Sequence, residues 1–361
     1  MGDIARMAHD NSSRRSPFKT AGRILLILIS IALMARFVLV SLPQVRESMI
    51  QMKEGKLVFV VAAVAVEVVW VFALSQVYRS GLRGFGGDVG RVSALRISMA
   101  SFSISRIVPG GGAAGSAWAA REFVKEGNKT PTTVISMMAS WWISMTSLAI
   151  VVTTAIGFSG ALGRVQPVYL AGPASTLVIF VLGGAILGRV IRNSRLRTRA
   201  VARFGGALGR FGITRSDLEA ELGQIANNLR VRNLLPIGGW AGLSWVVDAA
   251  ALGFTFAAFG TTVDVGVLMV GYGLANLISA LPELTPGWLG VLEATLAGTF
   301  GAFGIASGTA VLAVLAYRLA SYWLPVLAGL VPAATALKSF RSPKQFRLVR
   351  RLRSYALAMV R

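Results

Sequence analysis

Apolar residues in this chain come in blocks of about 20, separated by short polar stretches. A block of about 20 residues crosses the hydrocarbon core of a bilayer as a helix. Lipid offers no water to unpaired backbone groups, so several such blocks predict an all-α polytopic membrane protein. Eight spans are predicted, at 22–42, 57–78, 131–156, 167–190, 234–258, 264–281, 288–304 and 307–335. Thr130-Pro131 predicts one start, a hydroxyl cap followed by proline at the first helical position. Gly184 and Gly188 form a small-xxx-small pair, and Gly298, Gly301, Gly304 and Gly308 thin another region. Small residues of this kind let membrane helices approach closely.

Two segments break the pattern. Between the second and third spans, residues 97–126 are too apolar for an ordinary loop, yet Pro109, Gly110, Gly111 and Gly112 interrupt any helix there. A counterpart runs from Leu281 to Glu293 and contains Glu283, Pro286 and Gly287. Each break follows the second span of its own half of four spans. The expected solution is a re-entrant hairpin, whose irregular backbone is tolerated at membrane depth only when buried in protein or lining a wet cavity. Breaks at matching places in two halves point to a substrate site. A broken helix presents free N–H groups and a positive dipole end, which attract a phosphate or carboxylate. Gly110, Gly112 and Gly115 satisfy G-x-G-x-x-G, but a dinucleotide site needs a βαβ unit that is not predicted here. Gly110 to Ser116 resembles a P-loop but carries Gly115 where the lysine belongs.

Charge adds orientation. Only 14% of the residues are charged, against about a quarter in soluble domains, yet the net charge is +22. In a soluble protein that excess would suggest nucleic acid. Here it sits in tails and alternate loops and follows the positive-inside rule. The loop 191–233 holds Arg192, Arg195, Arg197, Arg199, Arg203 and Arg210, whereas 157–166 and 259–263 carry one arginine between them. Both termini are therefore expected in the cytoplasm, with basic tails at 1–20 and 338–361 flanking a membrane domain at 21–337. Its halves, 21–190 and 234–335, are joined by the basic loop 191–233. No cleaved signal and no myristoylation site is predicted. Basic loops also attract anionic lipid head groups. Within the connecting loop, Ser216-Asp217-Leu218-Glu219 matches a capping box, and Leu218, Leu222, Ile225 and Leu229 follow helical spacing. A short amphipathic helix on the cytoplasmic surface is expected.

There is no cysteine, and the single histidine, His9, lies in the N-terminal tail. Thiolate chemistry and histidine-based catalysis or metal binding inside the bundle are excluded, and no cofactor is implied. Ionisable residues within spans are costly and are functional candidates by default. They are Glu67, Asp248, Glu293 and Arg318, the last beside Tyr317. Arg106 and Glu283 flank the breaks, and Arg36 lies near a span end where it can snorkel. The bland reading is that the intramembrane charges pair and hold the bundle together; the functional one is that they line a site.

The run Leu281-Pro-Glu-Leu-Thr-Pro-Gly-Trp-Leu-Gly-Val-Leu-Glu-Ala294, followed by Tyr317-Arg318 and Tyr322-Trp323-Leu324-Pro325, resembles the lysylphosphatidylglycerol synthase transmembrane-region family, also called flippase-like. Arg106 to Gly115 is similar to the actinobacterial version of its upstream motif. The resemblance covers about residues 20 to 335 and departs at Trp288, where many members have glycine. It implies a lipid-translocating membrane domain. In the multiple peptide resistance factors such a domain is fused to a soluble aminoacyl-tRNA-dependent lipid synthase. No such domain is recognised in this sequence, so lipid aminoacylation by this chain is not expected.

The leading expectation is a flippase- or transporter-like protein of the cell membrane that moves or binds a phosphate-bearing lipid, anionic or aminoacylated. Gly110, Gly111, Gly112 and Gly287 would offer backbone donors beside Pro109 and Pro286, and Arg106 and Arg318 charge-assisted bonds. Glu283, Glu293 or Asp248 would bind an amine or relay a proton; Tyr317 is a further substrate-binding candidate, and Glu67, like Asp248, an intramembrane charge. Alanine at Arg318 is expected to abolish lipid movement with the fold intact. Alternatives are a membrane-embedded transferase using a polyprenyl-linked donor, and an accessory subunit of a lipid-modifying enzyme. Membrane phospholipids or polyprenyl-linked lipids are the expected partners, without nucleic acid. A homo-oligomer or a partner enzyme is left open.

Overall fold

The computed structural model describes residues 57–107, 111–208, 214–228, 230–279 and 288–338. The first predicted span, both tails, and Pro109, Gly110, Glu283, Pro286 and Gly287 lie outside them. The described chain is helical, with no strand. Its elements are α1 (Leu57–Gly84), α2 (Arg91–Ile107), α3 (Gly111–Lys125), α4 (Thr130–Ala161), a 3-10 turn (Pro167–Leu170), α5 (Ala171–Arg192), α6 (Ser194–Leu208), α7 (Arg215–Asn228), α8 (Val231–Ala258), α9 (Val265–Ser279), α10 (Val291–Ala302), α11 (Ser307–Arg318), a π turn (Leu319–Trp323) and α12 (Leu324–Lys338).

Two sets of four elements repeat. Each begins with a 28-residue helix, α1 or α8. A six-residue connection, 85–90 or 259–264, leads into a hairpin of short helices, α2–α3 or α9–α10. A long helical rod follows, α4 in one half and α11 through α12 in the other. Helices α1 and α8 pack antiparallel. Phe59 stacks on Phe254 with centroids 6.4 Å apart, and Phe72 meets Trp240 edge-on at 5.8 Å. Because these helices run in opposite directions, the two hairpins enter the bundle from opposite ends.

Each hairpin packs on the long rod of the other half. In the first, α2 lies antiparallel to α12, and Ser103 Oγ donates to the Val326 carbonyl at 2.8 Å. Gly329 makes that approach possible, since a Cβ there would stand 2.3 Å from the Met99 carbonyl oxygen. In the second, α9 lies antiparallel to α4. A Cβ on Gly266 would meet Ser159 Cβ at 2.3 Å, and one on Gly273 would meet Val152 Cγ1 at 2.9 Å. The two halves are thus arranged as a repeat of inverted topology.

Among the described residues, five helices are long and apolar enough to cross a bilayer: Leu57–Gly84, Thr130–Ala161, Pro167–Arg192, Val231–Ala258 and Ser307–Ala334. The protein is a multi-pass membrane protein. Of the spans expected at 264–281 and 288–304, the described parts are α9, with 15 residues, and α10, with 12. At 1.5 Å per residue they reach about 22 and 18 Å, short of a hydrocarbon core of about 30 Å. They form a two-helix hairpin that matches the one at 97–126. No residue of α5 is buried, and α1 exposes Val58, Val61 and Val68, as lipid-facing surfaces require.

Several local expectations shift. The N-cap of α4 is Lys129 rather than Thr130, which already belongs to the helix, and Thr133 Oγ1 donates to the Lys129 carbonyl. Thr214 rather than Ser216 caps α7, accepting the Asp217 amide at 3.1 Å, because the helix has already begun at Arg215. The expected apolar face holds: Leu218 and Ile225 are buried and pack toward Ile135 of α4. Thr132 donates to Glu221, so α7 is fastened to the start of α4. Preceding α7 is a basic helix that was not foreseen, α6. Gly183 and Gly184 accommodate the Trp142 indole, whereas Gly188, Gly298 and Gly301 meet nothing within 4 Å. The packing reading thus holds for one glycine of the Gly184–Gly188 pair.

Candidate functional site

Helix α11 ends at Arg318 and continues into the π turn. Such wide turns are rare and recur at functional sites. Here the turn buries Tyr317, Arg318 and Tyr322 together. Arg318 Nε donates to Glu293 Oε1 at 2.6 Å, with the two side chains 8% and 0% exposed. Glu293 stands at the third position of α10, and its Oε2 accepts the Gly290 amide at 2.6 Å. One carboxylate therefore closes a helix N-terminus and neutralises an arginine. Gly290 takes φ +84°, which glycine tolerates. Trp288, two residues earlier, takes φ +54°, a backbone conformation that favours glycine over a bulky side chain.

Arg318 also stacks on the Tyr322 ring, its guanidinium carbon 4.4 Å from the centroid. Arg106 approaches the same ring at 5.8 Å and the Phe102 ring at 5.1 Å. Tyr322 Oη donates to the Arg106 carbonyl at 3.3 Å. Arg106 lies at the tip of the first hairpin and Glu293 at the tip of the second. The two tips, which come from opposite ends of the bundle, meet through Tyr322 and Arg318.

A second cluster lies on the α1–α8 seam. Asp248 accepts the Tyr272 hydroxyl at 2.7 Å on one oxygen and the Tyr317 hydroxyl at 2.8 Å on the other. The Glu67 carboxyl faces Asp248 from α1. Among the described residues neither Glu67 oxygen has a hydrogen-bond donor, and Glu67 is 3% exposed. Tyr317 and Arg318, adjacent in sequence, link this cluster to the ion pair.

Of the residues singled out in the sequence, Arg106, Glu293, Tyr317, Arg318, Glu67 and Asp248 converge in this way. Gly111 and Gly112 open α3 just past the first break. Tyr272, Tyr322 and Phe102 are the members the sequence reading did not select as site residues. Tyr272, the single phenol in the mostly apolar 15-residue α9, was the available signal. A separate groove between α5 and the start of α8 is lined by Gly184, Gly188, Arg189, Arg192, Asn193 and Leu234, and none of the converging residues reaches it.

Residues 23–329 match the family model described as the lysylphosphatidylglycerol synthase TM region, and the chain belongs to that family. Among curated proteins, it is similar to two UPF0104 membrane proteins of Methanothermobacter thermautotrophicus. One is 33% identical over 89 residues, which is 25% of this chain and 26% of the relative. The other is 37% identical over 103 residues, 28% of this chain and 29% of the relative. The matched stretches span little more than a quarter of those relatives' length.

Proposed function

We propose that this member of the lysylphosphatidylglycerol synthase TM-region family binds a phosphate-bearing lipid, anionic or aminoacylated, and moves it between the leaflets of the cell membrane. The observation that carries the reading is the meeting of Arg106 and Arg318 on Tyr322, which links Arg106 of the first hairpin to Glu293 of the second through Arg318. In this arrangement Glu293 occupies Arg318 and the pair is closed off from solvent. A lipid phosphate entering from one side would replace Glu293 on the guanidinium, a bidentate partner of matching shape and charge. Glu293, released, would accept the ammonium of an aminoacylated head group. Rocking of the two halves would expose the arginines first to one leaflet and then to the other. Basic loops place both termini in the cytoplasm under this reading. The backbone donors at Gly111 and Gly112 add to the attraction for an anion.

Reconstitution in liposomes with fluorescent anionic, zwitterionic and lysyl-bearing lipids tests it, with leaflet exchange read by external quenching. Exchange of an anionic or lysyl lipid should fall by about tenfold or more in Arg318→Lys, which keeps the charge but loses the planar fork. Folded protein that exchanges none of these lipids would remove the reading.

A further inference from the structure

We propose that Glu67 and Asp248 share one proton and form a proton-binding site on the seam between the two halves, distinct from the Arg318–Glu293 pair.

Both Asp248 oxygens accept tyrosine hydroxyls, which suits an ionised carboxylate. Glu67 has no such help. It follows Ala63 and Val66 of the main apolar cluster on α1, and no described residue supplies a donor to either oxygen. Two carboxylates cannot hydrogen-bond to each other, since neither has a proton to give. An unpartnered ionised carboxyl in such a place costs several kcal/mol, and a like charge beside it adds to that cost. A single proton removes both penalties. It turns the contact into a carboxyl–carboxylate hydrogen bond and leaves one negative charge, which the two tyrosines already solvate.

Among the described residues, the surroundings offer no other neutralising group. Tyr272 of α9 and Tyr317 of α11 face Asp248 as neutral donors. Arg318 of α11 is the nearby cation, and it is held by Glu293 of α10 and the Tyr322 ring. Helix α4 contributes no ionisable residue, and on α2 the charges sit toward the ends, at Arg91, Arg96 and Arg106.

Glu67 belongs to one half of the repeat and Asp248 to the other. Any motion of one half against the other changes the distance between the carboxyls. Closed together, the pair holds the proton; drawn apart and wetted, it releases the proton to water. In that way the site would couple one proton to each cycle, a role that rests on the lipid-movement reading, although the proton site itself does not.

Infrared spectroscopy of the protein in liposomes, with deuterium exchange, reads the site directly. A protonated-carboxyl carbonyl band should persist at neutral pH in the unaltered protein and vanish in Glu67→Gln, where the remaining Asp248 carboxylate keeps both tyrosine donors. No such band at neutral pH in the unaltered protein, a measurement that needs no variant, overturns the proposal. The coupling is read from lipid distribution. With one proton per lipid, a gradient of one pH unit should bias the steady-state leaflet ratio about tenfold, and Glu67→Gln should abolish the bias. A bias that follows a sodium gradient instead overturns proton coupling. A carboxyl band without exchange of any lipid keeps the proton site and removes the translocation reading.

Discussion

Arg318 and Glu293, 25 residues apart and on different helices, form a 2.6 Å ion pair whose carboxylate also caps α10. Both are buried, so the pair cannot be opened at one end without stranding a charge. Loss of one partner of a buried pair costs about 3–5 kcal/mol.

That geometry changes what alanine at Arg318 should do. The sequence reading expected lost activity with an intact fold, but Glu293 would be left ionised in an apolar site. Arg318→Ala and Glu293→Ala should each lower stability by about 3 kcal/mol or more, and the double variant by less than their sum. Denaturant or thermal unfolding in detergent, arranged as a double-mutant cycle, measures this. Additive losses would mean the pair contributes no coupling.

Trp288 sets two effects against each other. Its φ of +54° costs about 1–2 kcal/mol, which glycine would recover. Its side chain is buried in the main apolar cluster, and removing a buried tryptophan costs about 3–5 kcal/mol. Trp288→Gly should therefore destabilise the protein, by about 1–4 kcal/mol net. An unchanged or raised melting temperature would show that the backbone term dominates.

Two glycines should respond oppositely to alanine. At Gly329 a Cβ would press on the Met99 carbonyl oxygen, which is backbone and cannot swing aside. Gly329→Ala should cost about 1–3 kcal/mol by overpacking α2 against α12. Gly298 lies exposed within α10 with open space around it, so Gly298→Ala should be neutral or stabilise by up to about 1 kcal/mol. Paired melting curves decide between them.

Asp264 fastens the start of α9. It accepts the Gly266 amide at 2.8 Å and lies 3.2 Å from Arg164. Partial burial disfavours its charge, but bonds from Ser159, the Gly266 amide and Arg164 outweigh this and hold its carboxyl below the usual range. A depressed folded value means the contribution is complete above the unfolded value, about 3.9, and fades as pH falls through the folded one. The melting-temperature difference between the unaltered protein and Asp264→Ala should therefore be steady near neutrality and narrow below about pH 4. A difference that stays constant to pH 3 would contradict it.

Composition and periodicity alone determined that this chain is an all-helical membrane protein, because about 20 apolar residues in a row have few other stable fates. They also located both breaks, since proline and glycine act on the backbone locally. The six intramembrane or break-flanking residues that converge were legible for a related reason: an ionisable group in lipid is expensive wherever it points, so its presence is informative before its partner is known. What the sequence could not determine was which charges meet. Arg318 finds Glu293 rather than Asp248, and Asp248 finds two tyrosines and Glu67, because α1, α8 and the two hairpins are folded antiparallel across the halves. The packing of α9 was likewise decided by tertiary structure. An apolar run reads the same whether it crosses the bilayer or turns back against α4, and the long-range packing of Gly266 and Gly273 on that helix selects the second.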